Sequence, residues 1–142
     1  YAGNDVLISI LSSIGNEQEY VRIRCLEILT ENLKIDNGGK LRKAVVNTIS
    51  TFTLFSSGTH ERDTKYNCVK CLIELTRYAE TKDIALRQLM LFMDSGMAEI
   101  RLATVARVKD SKFKHNPYVD AIMGKARVDH HYLVRKAVES AD

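Results

Sequence analysis

Arg24-Cys-Leu-Glu-Ile-Leu-Thr30 and Lys70-Cys-Leu-Ile-Glu-Leu-Thr76 are two copies of one stretch, offset by forty-six positions. Extending the register sets Tyr20 over Tyr66 and Ile23 over Val69. The shared positions are therefore an aromatic, an aliphatic, a cation, a cysteine, leucines and a threonine. Short helices that are each apolar over a broad face cannot bury that face alone, and stacking them as antiparallel pairs is the usual solution in repeat proteins. The repeat predicts such a stack.

Punctuation along the chain divides it into eight helices. Asp5 to Ile14 reads as a short apolar helix, with Asn4 or Asp5 as its cap and Gly15-Asn16 as its stop. A second helix over 17–33 is apolar on more than half its circumference, which predicts packing on two sides. Asp36-Asn-Gly-Gly39 is the strongest breaker in the chain, because Asn and Gly tolerate the left-handed backbone that closes a helix. Leu41, Ala44, Val45, Thr48, Ile49, Phe52 and Phe55 then form one stripe at helical period over 40–55. Ser56 to Thr64 reads as a polar stop and loop, and 65–79 is the helix carrying the second copy of the opening stretch. Thr81 or Asp83 is placed to cap a helix over 84–94, and Ser95-Gly96 ends it. Helices over 98–108, 117–127 and 130–141 follow, Pro117 suiting a first turn and Asp129 offering a cap for the last.

The totals agree with one all-α domain spanning 1–142. Apolar residues make up 45% and charged residues 27%, and a single Pro with seven Gly opposes both disorder and a turn-dense β fold. No window approaches the roughly twenty apolar residues of a membrane span, and no signal-peptide pattern opens the chain, so a cytoplasmic protein without membrane contact is expected. The opening Tyr1, where a complete chain would begin with Met, predicts a segment of a longer array. Residues 1–58 hold six Lys/Arg and six Asp/Glu, while 59–142 hold fifteen and twelve, so the whole net charge of +3 is C-terminal. That balance permits an acidic partner without demanding one.

Val21-Arg22, Ile100-Arg101 and Val134-Arg135 each open the second helix of a pair, followed at four positions by Cys25, Thr104 and Val138. An aliphatic-Arg pair followed by a small residue and leucines resembles the second helix of HEAT-like repeats. The resemblance implies an α-α superhelix, a right-handed solenoid of about four antiparallel helix pairs. Departures are visible: the Asp that the pattern places three positions before the aliphatic is Gln18, Met97 or His131, and the second unit has Asn67-Cys68 in place of the pair. Spacing is uneven too, with forty-six, thirty-three and thirty-four residues between successive units. The surplus falls in the first unit, as a longer third helix and the loop before Thr64.

Candidate chemistry is sparse. Cys68-x-x-Cys71 has zinc or disulfide spacing, but Cys71 sits where Cys25 sits in the first copy, which reads as a small packing residue. The histidine pair His130-His131 reads as a solvated helix start, and Met90, Met93, Met97 and Met123 as core filling. No phosphate-cradling loop, HExxH spacing or nucleophile elbow occurs, and no cofactor is called for, so the chain is expected not to be an enzyme. Helical-repeat DNA glycosylases resemble it in architecture only. What remains is a row of second-helix cations. By the solenoid resemblance these line the concave face, giving Arg24, Lys70, Arg101, Arg107, Arg135 and Lys136 as candidate partner-binding residues, with Arg22, Arg101 and Arg135 also placed to bond neighbouring units. The expected function is a scaffold that binds a protein partner; the alternative is nucleic-acid binding through the same cations and the loop cluster Lys109, Lys112, Lys114 and His115 around Phe113. Self-association through the apolar first helix, with Val6, Leu7, Ile8, Ile10, Leu11 and Ile14, is a further expectation.

Overall fold

The computed structural model describes residues 4–35, 38–53, 62–110, 113 and 116–139. Their regular structure is entirely helical: α1 Asn4–Ser9, α2 Glu19–Asn32, α3 Lys40–Thr53, α4 Arg62–Leu75, α5 Lys82–Phe92, α6 Ala98–Asp110, α7 Pro117–Arg127 and α8 Tyr132–Glu139. Short 3₁₀ segments follow α1 and α2, at Leu11–Gly15 and Leu33–Ile35. The expected loop over Ser56 to His60, the side chain of Phe52, Phe55, and Lys112, Lys114, His115 and Ala141 lie outside the described residues.

Helices alternate between two layers. α2 packs on α4, α4 on α6 and α6 on α8; α1 and the 3₁₀ turn Leu11–Gly15 pack on α3, α3 on α5 and α5 on α7. The buried apolar residues form one cluster running from Leu7 to Val134, with Leu26, Leu29, Val45, Ile49, Leu72, Leu75, Leu86, Leu89 and Ile100 all but sealed from solvent. Leu41, Val45 and Ile49 show why α3 forms despite its β-branched residues: the predicted stripe is its buried face. Met93 is buried and Met90, Met97 and Met123 pack against the core, as their spacing predicted.

Several expected boundaries move, each for a visible reason. The first helix ends at Ser9 and tightens into 3₁₀ over Leu11–Gly15. With three residues per turn, Leu11 and Ile14 then fall on the same side, and both are buried where this turn packs on α2 and α3. Val6 alone of that run's apolar residues is exposed, so the helix docks on its own chain. Arg62, Asp63 and Thr64, expected in the loop, are the first turn of α4, and Thr64 is buried. Thr81 does stand before α5, yet its hydroxyl donates to the Leu75 carbonyl at 2.7 Å and caps nothing there. The α7 boundaries agree with expectation at both ends, and the Asn116 side chain accepts from the Tyr118 and Val119 amides to cap it.

The glycine pair of the breaker is needed for its backbone. Gly38 and Gly39 have φ of 89° and 76°, which L side chains avoid. A Cβ on Gly39 would also lie 2.5 Å from Oε1 of Glu80. That carboxylate is held by Arg42 at 2.6 Å; the same guanidinium donates to the Leu33 carbonyl at 2.8 Å and stacks 4.1 Å over the Tyr78 ring. Arg42, unremarkable in the sequence, thus ties the end of α2 to the corner between α4 and α5.

Candidate functional site

The second-helix arginines repeat one arrangement. Nη1 of Arg22, Arg101 and Arg135 donates to the carbonyl six residues earlier, that of Asn16, Ser95 and Asp129, at 2.6, 2.7 and 2.6 Å. In each case the side chain of that same earlier residue accepts from the amide two positions on, of Gln18, Met97 or His131. In all three places the guanidinium thus meets a polar turn residue six positions back. Its short side chain closes the turn locally, and its carbonyl is left for the guanidinium.

Two of the three arginines reach further. Nε of Arg22 donates to the Thr64 hydroxyl at 3.1 Å, bridging α2 to α4. Nε and Nη2 of Arg101 meet the two carboxylate oxygens of Asp129 at 2.8 and 3.1 Å, bridging α6 to the turn before α8. Both side chains of that pair are buried, at 6% and 7% exposure. Arg101 holds the Asp129 carboxyl below its ordinary value, against the burial that would raise it, with the His131 amide helping. Asp129 was expected to cap α8; its carboxylate accepts from the His131 amide in the turn ahead of Tyr132 as well as from the arginine, and Nδ1 of His131 accepts from the Leu133 amide at the helix start.

These placements sort the candidate cations. Arg101 is sealed in its ion pair and leaves the partner-binding set, because a guanidinium already satisfied on three nitrogens and buried presents nothing to a partner. Arg135 is half-buried and committed to a carbonyl on its own chain. Arg24 is exposed on α2, Lys70 on α4 and Lys136 on α8, the last with Nζ 5.6 Å from the Tyr132 ring centre. Arg107 is half-buried, donates to the Tyr66 hydroxyl at 2.7 Å and lies over the same ring at 4.8 Å. Lys109, assigned to the basic loop, is instead in α6 and donates to the Ala137 carbonyl at 2.9 Å.

Only Lys70 and Arg107 of the expected set come together. They border a groove of about 1030 Å³ on the second-helix layer, between the C-terminal parts of α4 and α6. Arg77 and Lys82 complete its basic rim, Glu74 and Asp110 are its acids, and Ile73, Tyr78, Ala79 and Phe113 supply its apolar surface. Arg77 and Glu74 form a loose exposed pair at 3.6 Å. Sequence reasoning missed Arg77, Tyr78 and Lys82. The available signal was the cluster Arg77-Tyr78 and Lys82 flanking the α4–α5 corner, which helix periodicity does not score.

The cysteines are core. Cys25, Cys68 and Cys71 are free and buried, and burial pushes the Cys25 thiol up to about 11 and the Cys71 thiol up to about 12. Neither is a thiolate near neutrality, the form that binds metal or attacks. Among the described residues no group of three metal-ligating side chains occurs. No described helix is long and apolar enough to cross a membrane. The chain matches no protein family, and neither curated proteins nor solved structures give a match.

Proposed function

We propose that this chain is a non-enzymatic helical-repeat module, a HEAT-like solenoid of four antiparallel helix pairs, that binds a protein partner through the open side of its second-helix layer. The neighbour-to-neighbour packing within each layer and the thrice-repeated arginine turn support the solenoid reading. The observation that carries the binding reading is the groove between α4 and α6, where exposed cations and apolar surface sit together on walls fixed by core packing. A photo-crosslinking amino acid at position 70, compared with one at Arg87 on the exposed side of α5, tests it in extract of the source organism. A discrete crosslinked protein from position 70 and none from 87 is expected; equal labelling from both positions refutes the assignment of the face.

Nucleic-acid binding is the second reading, favoured by the excess of cations over acids along that groove. A mobility shift with duplex and single-stranded oligonucleotides would then weaken steeply with added salt, since each phosphate contact releases counterions. No shift at low salt removes it.

A further inference from the structure

The aromatic side chains around the groove are each engaged by a cation. Nζ of Lys70 lies 5.4 Å and Cζ of Arg107 4.8 Å from the Tyr66 ring centre, Nζ of Lys82 lies 5.1 Å from that of Phe113, and Arg42 stacks on Tyr78 at 4.1 Å. Nucleic-acid grooves of this kind work by stacking bases on open aromatic faces along a continuous basic track. Here the rings carry cations, and the track is interrupted by Glu74 and Asp110. A ring under a cation still orients that donor, because the attraction to the π face fixes where the ammonium or guanidinium sits. Such donors suit separate carboxylates better than an unbroken row of phosphates.

We propose that the groove binds a short acidic peptide segment whose carboxylates alternate with apolar side chains. This rests on the reading of the second-helix face as a protein-binding surface and names the chemistry of the partner. Among the described residues Lys70, Arg77, Lys82 and Arg107 line the groove with Glu74 and Asp110, so a segment carrying carboxylates offsets the excess of cations. Ile73, Ala79 and Phe113 take its apolar side chains. Arg42, itself fixed by Glu80 and the Leu33 carbonyl, holds the Tyr78 ring, so this wall needs little ordering on binding.

The test uses the whole chain and three fluorescein-labelled probes followed by anisotropy at low and at physiological salt. The first is an eight-residue peptide alternating glutamate with leucine and phenylalanine, the second is its lysine counterpart, and the third is a twelve-nucleotide single strand. Saturable binding of the acidic peptide alone is expected. The double substitution Lys70→Glu with Arg77→Glu should weaken it at least about tenfold, whereas Lys70→Arg with Arg77→Lys should retain it and Arg24→Glu, on exposed α2, should not change it. Circular dichroism confirms that each variant keeps its helix content. The proposal is overturned if the lysine peptide or the oligonucleotide binds as tightly, if the acidic peptide does not bind, or if Arg24→Glu weakens binding as much as the double variant. Capture of a protein by the crosslinker at position 70 alongside a failed acidic probe would leave the binding face standing and remove only its chemistry.

Discussion

The α2–α4 seam and the α6–α8 seam are built on equivalent arginines that end on different partners. Arg22 and Arg101 are both buried, and both anchor Nη1 on the turn carbonyl six residues back. Across the seam Arg22 meets a neutral hydroxyl, that of Thr64, and Glu19 lies at its rim at 3.9 Å. Arg101 meets both oxygens of a buried carboxylate. The difference teaches that the bond to the turn carbonyl is common to both helix starts, while the acceptor met across the seam differs, a hydroxyl in one and a carboxylate in the other. Between them, α4 has Cys68 at the equivalent place, and its junction with α6 carries the surface bond from Arg107 to Tyr66.

The contrast breaks most visibly at Asp129. Asp129→Ala leaves the Arg101 guanidinium buried without its carboxylate and should lower unfolding stability by about 3–5 kcal/mol in a denaturant titration. Pairing it with Arg101→Met should recover much of that loss, because the uncompensated charge goes too. At the other seam Thr64→Val removes a neutral acceptor from a guanidinium that keeps its turn carbonyl, and about 1–2 kcal/mol is expected from the same measurement. Equal losses for Asp129→Ala and Thr64→Val would erase the distinction between the seams.

Acid sharpens it further. Because Asp129 titrates below its ordinary value in the folded chain, its ionised form is favoured by folding. That contribution is whole above the unfolded value of about 4 and is lost as pH falls from there through the depressed folded one. Thermal melts between pH 7 and pH 2 should therefore show a steeper acid loss for the wild type than for Asp129→Asn, while Thr64→Val leaves the profile's shape unchanged. The smallest effect belongs to Arg135, whose guanidinium bonds one carbonyl and is half exposed. Arg135→Gln should cost about 0.5–1 kcal/mol by denaturant titration, and a loss as large as that of Asp129→Ala would mean that α8 is held chiefly by its own turn.

Much of the fold was legible because helices leave a local record. The stripe Leu41, Val45, Ile49 and the Pro117 start predict α3 and α7 closely, and the register of Cys25 with Cys71 identifies them as packing residues, which their burial bears out. Boundaries failed where a side chain found a partner outside its own helix start. The Thr81 hydroxyl donates to the Leu75 carbonyl, and Asp129 accepts from Arg101, twenty-eight positions away, as well as from the His131 amide. The site was less legible. Of six candidate cations the structure brings Lys70 and Arg107 to one groove, seals Arg101 in the core and joins the pair to Arg77 and Lys82 from a corner that no periodicity marks.

By itself the sequence determined that this chain is a set of helices, since apolar spacing at 3.6 residues and Gly, Asn and Pro punctuation act over one or two turns. Only the tertiary structure decided which cations are buried in a seam and which border a groove. An arginine side chain is long enough to reach the turn six residues behind it or the neighbouring unit, and which it reaches depends on what the packing of α2, α4, α6 and α8 places within hydrogen-bonding distance. The same residue type therefore closes a seam at Arg101 and borders an open groove at Arg107.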